Sequence, residues 1–155
     1  MTRVSPADRV LMIISDTTIR GSTRLQKYGF LLHKQYKKEL SRIARNHAEL
    51  KFYDDWKPLW YGPFSKDLEE DIKTCASTGT IEKTLVDQDL ELYRYALTLK
   101  GRVQWRKILR ESGNETRAIH EKIANLQTIR LERLLEGIYH AYPEYTKRSK
   151  IKDRF

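Results

Sequence analysis

Trp60-Tyr61-Gly62-Pro63-Phe64-Ser65-Lys66-Asp67-Leu68 is the stretch on which the reading of this chain turns, because it sets a turn directly ahead of a capped helix. Gly62-Pro63 is a strong turn signal, and Ser65 is a residue type whose side-chain oxygen accepts from the first free N–H groups of a helix. Leu68, Ile72 and Cys75 then recur at helical spacing, so a helix is expected to about Ser77, with Gly79 placed to end it. Beyond it, Ile81 to Val86 and Leu90 to Leu97 read as two strands joined across Asp87-Gln88-Asp89. Thr98 is suited to cap a further helix from Leu99, with Leu99, Val103 and Ile108 turned to the core.

Working outward, Pro6 and Asp8 open a first helix expected over residues 6–17, carrying Val10, Leu11, Ile13 and Ile14. Gly21-Ser22 punctuates, and a second helical stretch runs from Ser22 or Thr23 to about His47, with a break near Gly29 or Lys37. Leu25, Leu32, Tyr36, Leu40, Ile43 and Leu50 fall on one side of it, while Arg24, Lys27, Lys34, Lys38, Arg42 and Arg45 fall on the other. A short edge strand is expected near Phe52-Tyr53. After Gly113 a single helix to about Ala141, stopped by Pro143, would reach roughly 40 Å at 1.5 Å per residue. Together these elements predict an α+β fold, a winged helix-turn-helix with a β-hairpin wing and a long C-terminal helix. The domain plan is residues 1–112 as the winged-helix unit, 113–142 as the C-terminal helix and 143–155 as a basic tail.

Three segments, Leu25-Gln26-Lys27-Tyr28-Gly29-Phe30-Leu31-Leu32, Tyr61-Gly62-Pro63-Phe64-Ser65-Lys66-Asp67-Leu68 and Tyr95-Ala96-Leu97-Thr98-Leu99-Lys100-Gly101, resemble a group of prokaryotic, often archaeal, winged-helix proteins. The middle segment is also similar to the Panacea-type domain associated with toxin and antitoxin systems. The resemblance covers about residues 22–105. It implies a winged-helix fold with either DNA binding or partner recognition.

The 155 residues suffice for one core, and 30 basic against 21 acidic side chains give a net charge of +9, which favours a polyanionic partner. No segment approaches the roughly 20 apolar residues of a membrane span, and no secretory leader is evident, so a cytoplasmic protein without membrane contact is expected. The expected recognition helix, however, sets Lys66 and Lys73 against Asp67, Glu69, Glu70 and Asp71, and the wing tip carries Asp87 and Asp89. Neither element offers the cations that phosphate needs. The positive excess lies elsewhere: in Arg24, Lys27, Lys34, Lys38, Arg42 and Arg45, in Arg102, Arg106, Lys107 and Arg110, and in Lys147, Arg148, Lys150, Lys152 and Arg154 of the tail. The first two groups are the expected nucleic-acid contacts, although any one charge run alone is more often a solvated helix face.

Nothing marks an enzyme, a cofactor or a metal centre. His33, His47, His120 and His140 lack ligand spacing, and Cys75 reads as a small buried apolar group. Asp67, Glu70 and Asp71 could gather on one face as hard-metal ligands but more ordinarily solvate a helix. Ser65 has no histidine base in any motif and reads as a cap. Tyr53, Trp56, Trp60, Tyr61 and Phe64 crowd one segment, where closing a core is the commoner role and stacking on bases or a partner the sharper one. On the C-terminal helix, Ile123, Leu126, Leu131, Leu134 and Ile138 form an apolar stripe expected to pair two chains. The function expected is therefore that of a non-enzymatic, dimeric winged-helix protein on double-stranded DNA, a transcriptional regulator. The alternative is a protein-recognition or antitoxin-like adaptor using the acidic helix 65–77.

Overall fold

A computed structural model describes residues 6–46 and 51–149. The fold is mixed α+β, with seven α-helices among the described residues and two small antiparallel sheets. Helix α1 (Pro6–Ile14) is the centre of the core: Val10 to Ile14 are fully buried, and α4, α5 and α6 lie against it. It ends three residues earlier than periodicity suggests. Ser15 takes the left-handed conformation that closes a helix, at φ 44°, and its hydroxyl is hydrogen bonded to His120 Nδ1 at 3.0 Å.

After the short strand β1 (Ile19–Arg20), the expected long stretch divides into α2 (Ser22–Gln35) and α3 (Lys37–Asn46), broken at Tyr36, next to the second of the two anticipated sites, Lys37, and not at Gly29. Gly29 instead marks a close approach, since a Cβ there would lie 3.1 Å from Leu68 and Trp56 and 3.2 Å from Ile13. His47 and Leu50, the Arg45 side chain and Lys150, Lys152 and Arg154 lie outside the described residues.

The edge strand expected at Phe52-Tyr53 is not formed there. Strands β2 (Lys57–Leu59) and β3 (Gly62–Phe64) pair instead, with Trp60 and Tyr61 at the hairpin tip. Pro58 lies opposite Pro63, and a two-stranded ribbon, all edge, tolerates both prolines. Ser65 then caps α4 (Lys66–Ser77), its Oγ accepting from Leu68 N–H at 3.1 Å and donating to Asp55 Oδ1. The turn is tied to α2 by Gln26, whose amide donates to the Ser65 carbonyl at 3.0 Å and accepts from the Ser65 N–H at 2.9 Å.

Strands β4 (Ile81–Asp87) and β5 (Leu92–Leu97) form the expected hairpin, and β1 adds to its return strand, giving the order β1-β5-β4. Thr98 caps α5 (Leu99–Glu111) by accepting from Gly101 N–H at 3.2 Å. Leu99 and Val103, expected in the core, are instead 79% and 60% exposed; Trp105 and Ile108 form the inner face of α5. A helix is wide enough that 99/103 and 105/108 cannot face one neighbour together.

The long C-terminal helix is corrected to two, α6 (Gly113–Gln127) and α7 (Leu131–Ala141). The Thr128 hydroxyl donates to the Asn125 carbonyl at 2.7 Å, competing with the helical ladder, and Arg130 adopts extended backbone. The Ile129 carbonyl freed by the break accepts from Arg24 Nη2 at 2.6 Å. With the helix broken here, the stripe assigned to a dimer seam is buried within one chain. Ile123, Leu126, Leu134 and Ile138 are at most 5% exposed, and only Leu131, at 36%, reaches solvent. A 3-10 turn at Pro143–Tyr145 then brings Tyr145 onto Phe30, with ring centres 4.8 Å apart.

Candidate nucleic-acid interface

Helix α5 is anchored on its inner edge and solvated on its outer one. Gly101 packs so closely that a Cβ would lie 2.3 Å from the Thr80 carbonyl oxygen, and Thr98 Oγ1 also donates to the Gly79 and Thr80 carbonyls. With that edge held against the β4 side of the sheet, Arg102, Arg106, Lys107 and Arg110 are turned outward, and all four are exposed. Arg102, Arg106 and Arg110 recur every four residues and so lie along one strip. No ion pair joins any of these four to a described carboxylate.

The cations of α2 behave differently. Arg24 donates to the Tyr28 hydroxyl at 3.0 Å and to the Ile129 carbonyl, so it pins α7's lead-in to α2. Lys27 is 2% exposed and donates to the Pro63 carbonyl at 2.7 Å. Burial pushes its amine down from the ordinary lysine value to about 7. It is therefore not a phosphate contact. Lys34 is half-buried over the rings of Phe30, Tyr142 and Tyr145, 5.2 Å from the last. Arg42 approaches Glu115 at 3.8 Å while Lys38 stands in solvent. Of the basic stripe anticipated along residues 24–45, Arg24, Lys27 and Lys34 on α2 are thus spent inside the molecule, while Lys38 and Arg42 on α3 stay exposed.

A legible warning of this was the run Tyr28-Gly29-Phe30-Leu31-Leu32. Five non-polar residues in succession leave a helix no polar side, and residues 25 to 32 are in fact buried all round. Gln26 and Lys27, caught in that stretch, satisfy their polar groups on backbone of the β3–α4 turn.

The acidic helix α4 also divides by face. Asp67 and Glu70 are exposed, and Glu70 approaches Lys66 at 4.0 Å. Asp71, expected to solvate the helix, is buried: its Oδ2 accepts from Arg9 Nε and Nη2, at 3.1 and 2.7 Å, and from the Tyr53 hydroxyl at 2.6 Å. The Arg9 guanidinium also lies over the Tyr53 ring, 4.5 Å from its centre. Burial, then the hydrogen bond to Asp71, drives the Tyr53 phenol far above its ordinary range, and burial pushes the Cys75 thiol up to about 11. This cluster joins α1, the 51–56 segment and α4, and it holds Cys75 in its unreactive thiol form. Among the aromatic residues of that segment, Tyr53 and Trp56 are buried, whereas Trp60 and Tyr61 are about half exposed.

Among the described residues no three histidine, cysteine or carboxylate side chains gather as a metal site, and no helix is long and apolar enough to cross a membrane. Comparison of the chain with protein families, with curated proteins and with solved structures gives no match in any of the three.

Proposed function

We propose that the chain is a non-catalytic winged-helix DNA-binding protein, a regulator of transcription in which duplex DNA is held chiefly by the outer face of α5. The winged-helix reading is supported by the order α1, β1, α2, α4, β4, β5 and by the short strand β1 joining the hairpin on its β5 side. On this reading α3 and the β2–β3 hairpin are an insertion ahead of α4. The observation that carries DNA binding is the strip Arg102, Arg106, Lys107 and Arg110, exposed and without described ionic partners. Such groups release counterions when they meet phosphate. Because α4 is acidic, affinity comes from backbone contacts more than from base edges.

The test is fluorescence anisotropy with a labelled 20-base-pair duplex across a salt series. Four phosphate contacts predict a slope of log affinity on log salt near −3.6, a loss of about a hundredfold between 50 and 200 mM. Arg102→Glu/Arg106→Glu/Arg110→Glu should abolish binding while Lys38→Glu/Arg42→Glu leaves it within about threefold. An α5 variant that folds and binds as tightly as the parent rejects the assignment.

A second reading, a protein-recognition or antitoxin-like adaptor docking through α4, is favoured by the exposed carboxylates of Asp67 and Glu70. It predicts that Asp67→Lys/Glu70→Lys abolishes binding to a basic protein partner, whereas Arg102→Glu/Arg106→Glu/Arg110→Glu leaves that binding intact.

A further inference from the structure

Between the start of α2, the β2–β3 hairpin and α4 lies a cleft of about 230 Å³, lined in part by Ser22, Thr23, Lys27, Trp60, Tyr61 and Glu69. Its position is independent of the α5 strip. Trp60 and Tyr61 line it from the hairpin tip and are 51% and 48% exposed. The hairpin beneath them is firmly seated. Gly62 has φ +92°, and a Cβ on it would lie 2.9 Å from the Tyr139 ring and 3.6 Å from Lys27 Cε. The lysine is packed along the hairpin with one acceptor among the described residues, the Pro63 carbonyl, for the three donors of an ammonium. Ser22 and Thr23 contribute the first turn of α2, whose N-cap is Gly21 and so has no side chain to accept from its N–H groups.

We propose that this cleft binds a small aromatic carboxylate, with the ring against Trp60 and Tyr61 and the carboxylate at Lys27 and the first turn of α2. The volume suits one or two fused rings. The aromatic walls supply stacking area, and the buried amine supplies a charge-assisted donor in a poorly solvated site. Glu69 is the one carboxylate among the described lining residues and places the anion at the α2 end rather than the α4 end.

Proton linkage gives the site a signature. In the free protein the Lys27 amine is held near 7, so around pH 8 it is mostly neutral. A bound carboxylate favours the ammonium form and raises that value, so binding takes up a proton from solution. The other titratable side chains around Lys27 are Tyr61 on the hairpin, Glu69 on α4 and Tyr139 on α7. Burial moves the Tyr139 phenol up, away from this window.

Isothermal titration calorimetry of the intact protein with indole-3-acetate and with benzoate, each at pH 7 and 8.5 in two buffers of unlike ionisation heat, tests the proposal. Saturable one-to-one binding of at least one acid is expected, with uptake approaching one proton at pH 8.5 and affinity falling about tenfold per pH unit above 7.5. Indole-3-acetamide and benzamide, the neutral counterparts, should bind at least tenfold more weakly. Trp60→Ala should weaken the acid about tenfold and leave proton uptake intact, and Glu69→Gln should tighten it a few-fold. Lys27→Met should remove both the uptake and the preference for the acid. Equal binding of acid and amide, binding without proton uptake, or no saturable binding of either acid at millimolar concentration overturns the proposal.

Discussion

Lys27 on α2 and Arg106 on α5 are basic residues on helices of 14 and 13 residues, yet the first is buried against a backbone carbonyl and the second stands in solvent. Their sequence surroundings do not account for this. Helix α2 is enclosed by α1, α4, α6, α7 and the β2–β3 hairpin, whereas α5 touches α1, α6 and β5 and leaves an arc uncovered. Charge periodicity therefore reports a solvated face only where the fold leaves one open. On a central helix, the same residue types become internal ties, donating to carbonyls as Arg24 and Lys27 do or lying on rings as Lys34 does.

The sharpest way to break the contrast is to disturb how α5 is held. Gly101→Ala drives a methyl group into the Thr80 carbonyl, which belongs to backbone and cannot rotate away. A loss of about 3 kcal/mol in urea unfolding is expected, at the upper end of overpacking costs. Gly137→Ala on α7, where a Cβ meets nothing within 4 Å, should instead gain up to about 1 kcal/mol. Equal effects at the two glycines would mean that α5 is not docked by its inner edge.

A pH series separates the two kinds of cation next. The Lys27 amine titrates near 10.5 in an unfolded chain and near 7 when folded, so between those values the unfolded state binds more protons. Stability should therefore rise with pH across this window, by about 2 kcal/mol between pH 7 and 9 from this group alone. From about pH 9 upward an opposite trend sets in, because burial raises first the Cys75 thiol and then the phenols of Tyr28, Tyr53 and Tyr95 above their unfolded values. Lys27→Met should flatten the rise below pH 9, and Arg106→Met should leave it unchanged. A parent protein whose urea midpoint does not climb from pH 7 to 9 contradicts an uncompensated buried lysine.

What could be read in advance follows the range of the interactions involved. Helix α4, the β4–β5 hairpin and the caps at Ser65 and Thr98 rest on contacts within a few residues, and each is found where local chemistry points. The division of α6 from α7 depends on a hydroxyl at Thr128 together with an arginine more than a hundred residues earlier, so periodicity runs through it unbroken. Asp71 looks like its neighbours Glu69 and Glu70 until Arg9, 62 positions away, is brought beside it. The cleft at Lys27 was hidden for the same reason: its walls come from three separate elements. Only the five-residue apolar run of α2 hinted that its polar residues were enclosed.

Ser65→Ala probes the tie between the β3–α4 turn and α2 with a smaller effect. The hydroxyl accepts from Leu68 N–H and donates to Asp55, whose other oxygen accepts from Asp67 N–H. Losing it removes one cap and leaves Asp55 with a single helix contact, so about 1 to 2 kcal/mol is expected by thermal or urea unfolding. Asp55→Ala should cost less, because Ser65 still caps Leu68. The reverse order would make Asp55 the principal cap.

The smallest expected difference is between single arginines. Arg24→Ala removes a donor to the Ile129 carbonyl and another to the Tyr28 hydroxyl, which itself donates to Gln127 Oε1 at 2.6 Å. Part of this network is open to water, which can replace the lost donors, so the cost should stay near 1 kcal/mol. Arg106→Ala and Arg110→Ala remove side chains that contact no described partner, and each should stay within about 0.5 kcal/mol of the parent. In DNA binding the ranking inverts: each α5 arginine removed should lower the magnitude of the salt slope by about 0.9, while Arg24→Ala leaves it unchanged. Stability and salt slope measured on the same three variants thus read inward and outward cations independently. If Arg24 changed the slope as much as Arg106 does, with unfolding unaffected, the division between the two helices would have to be abandoned.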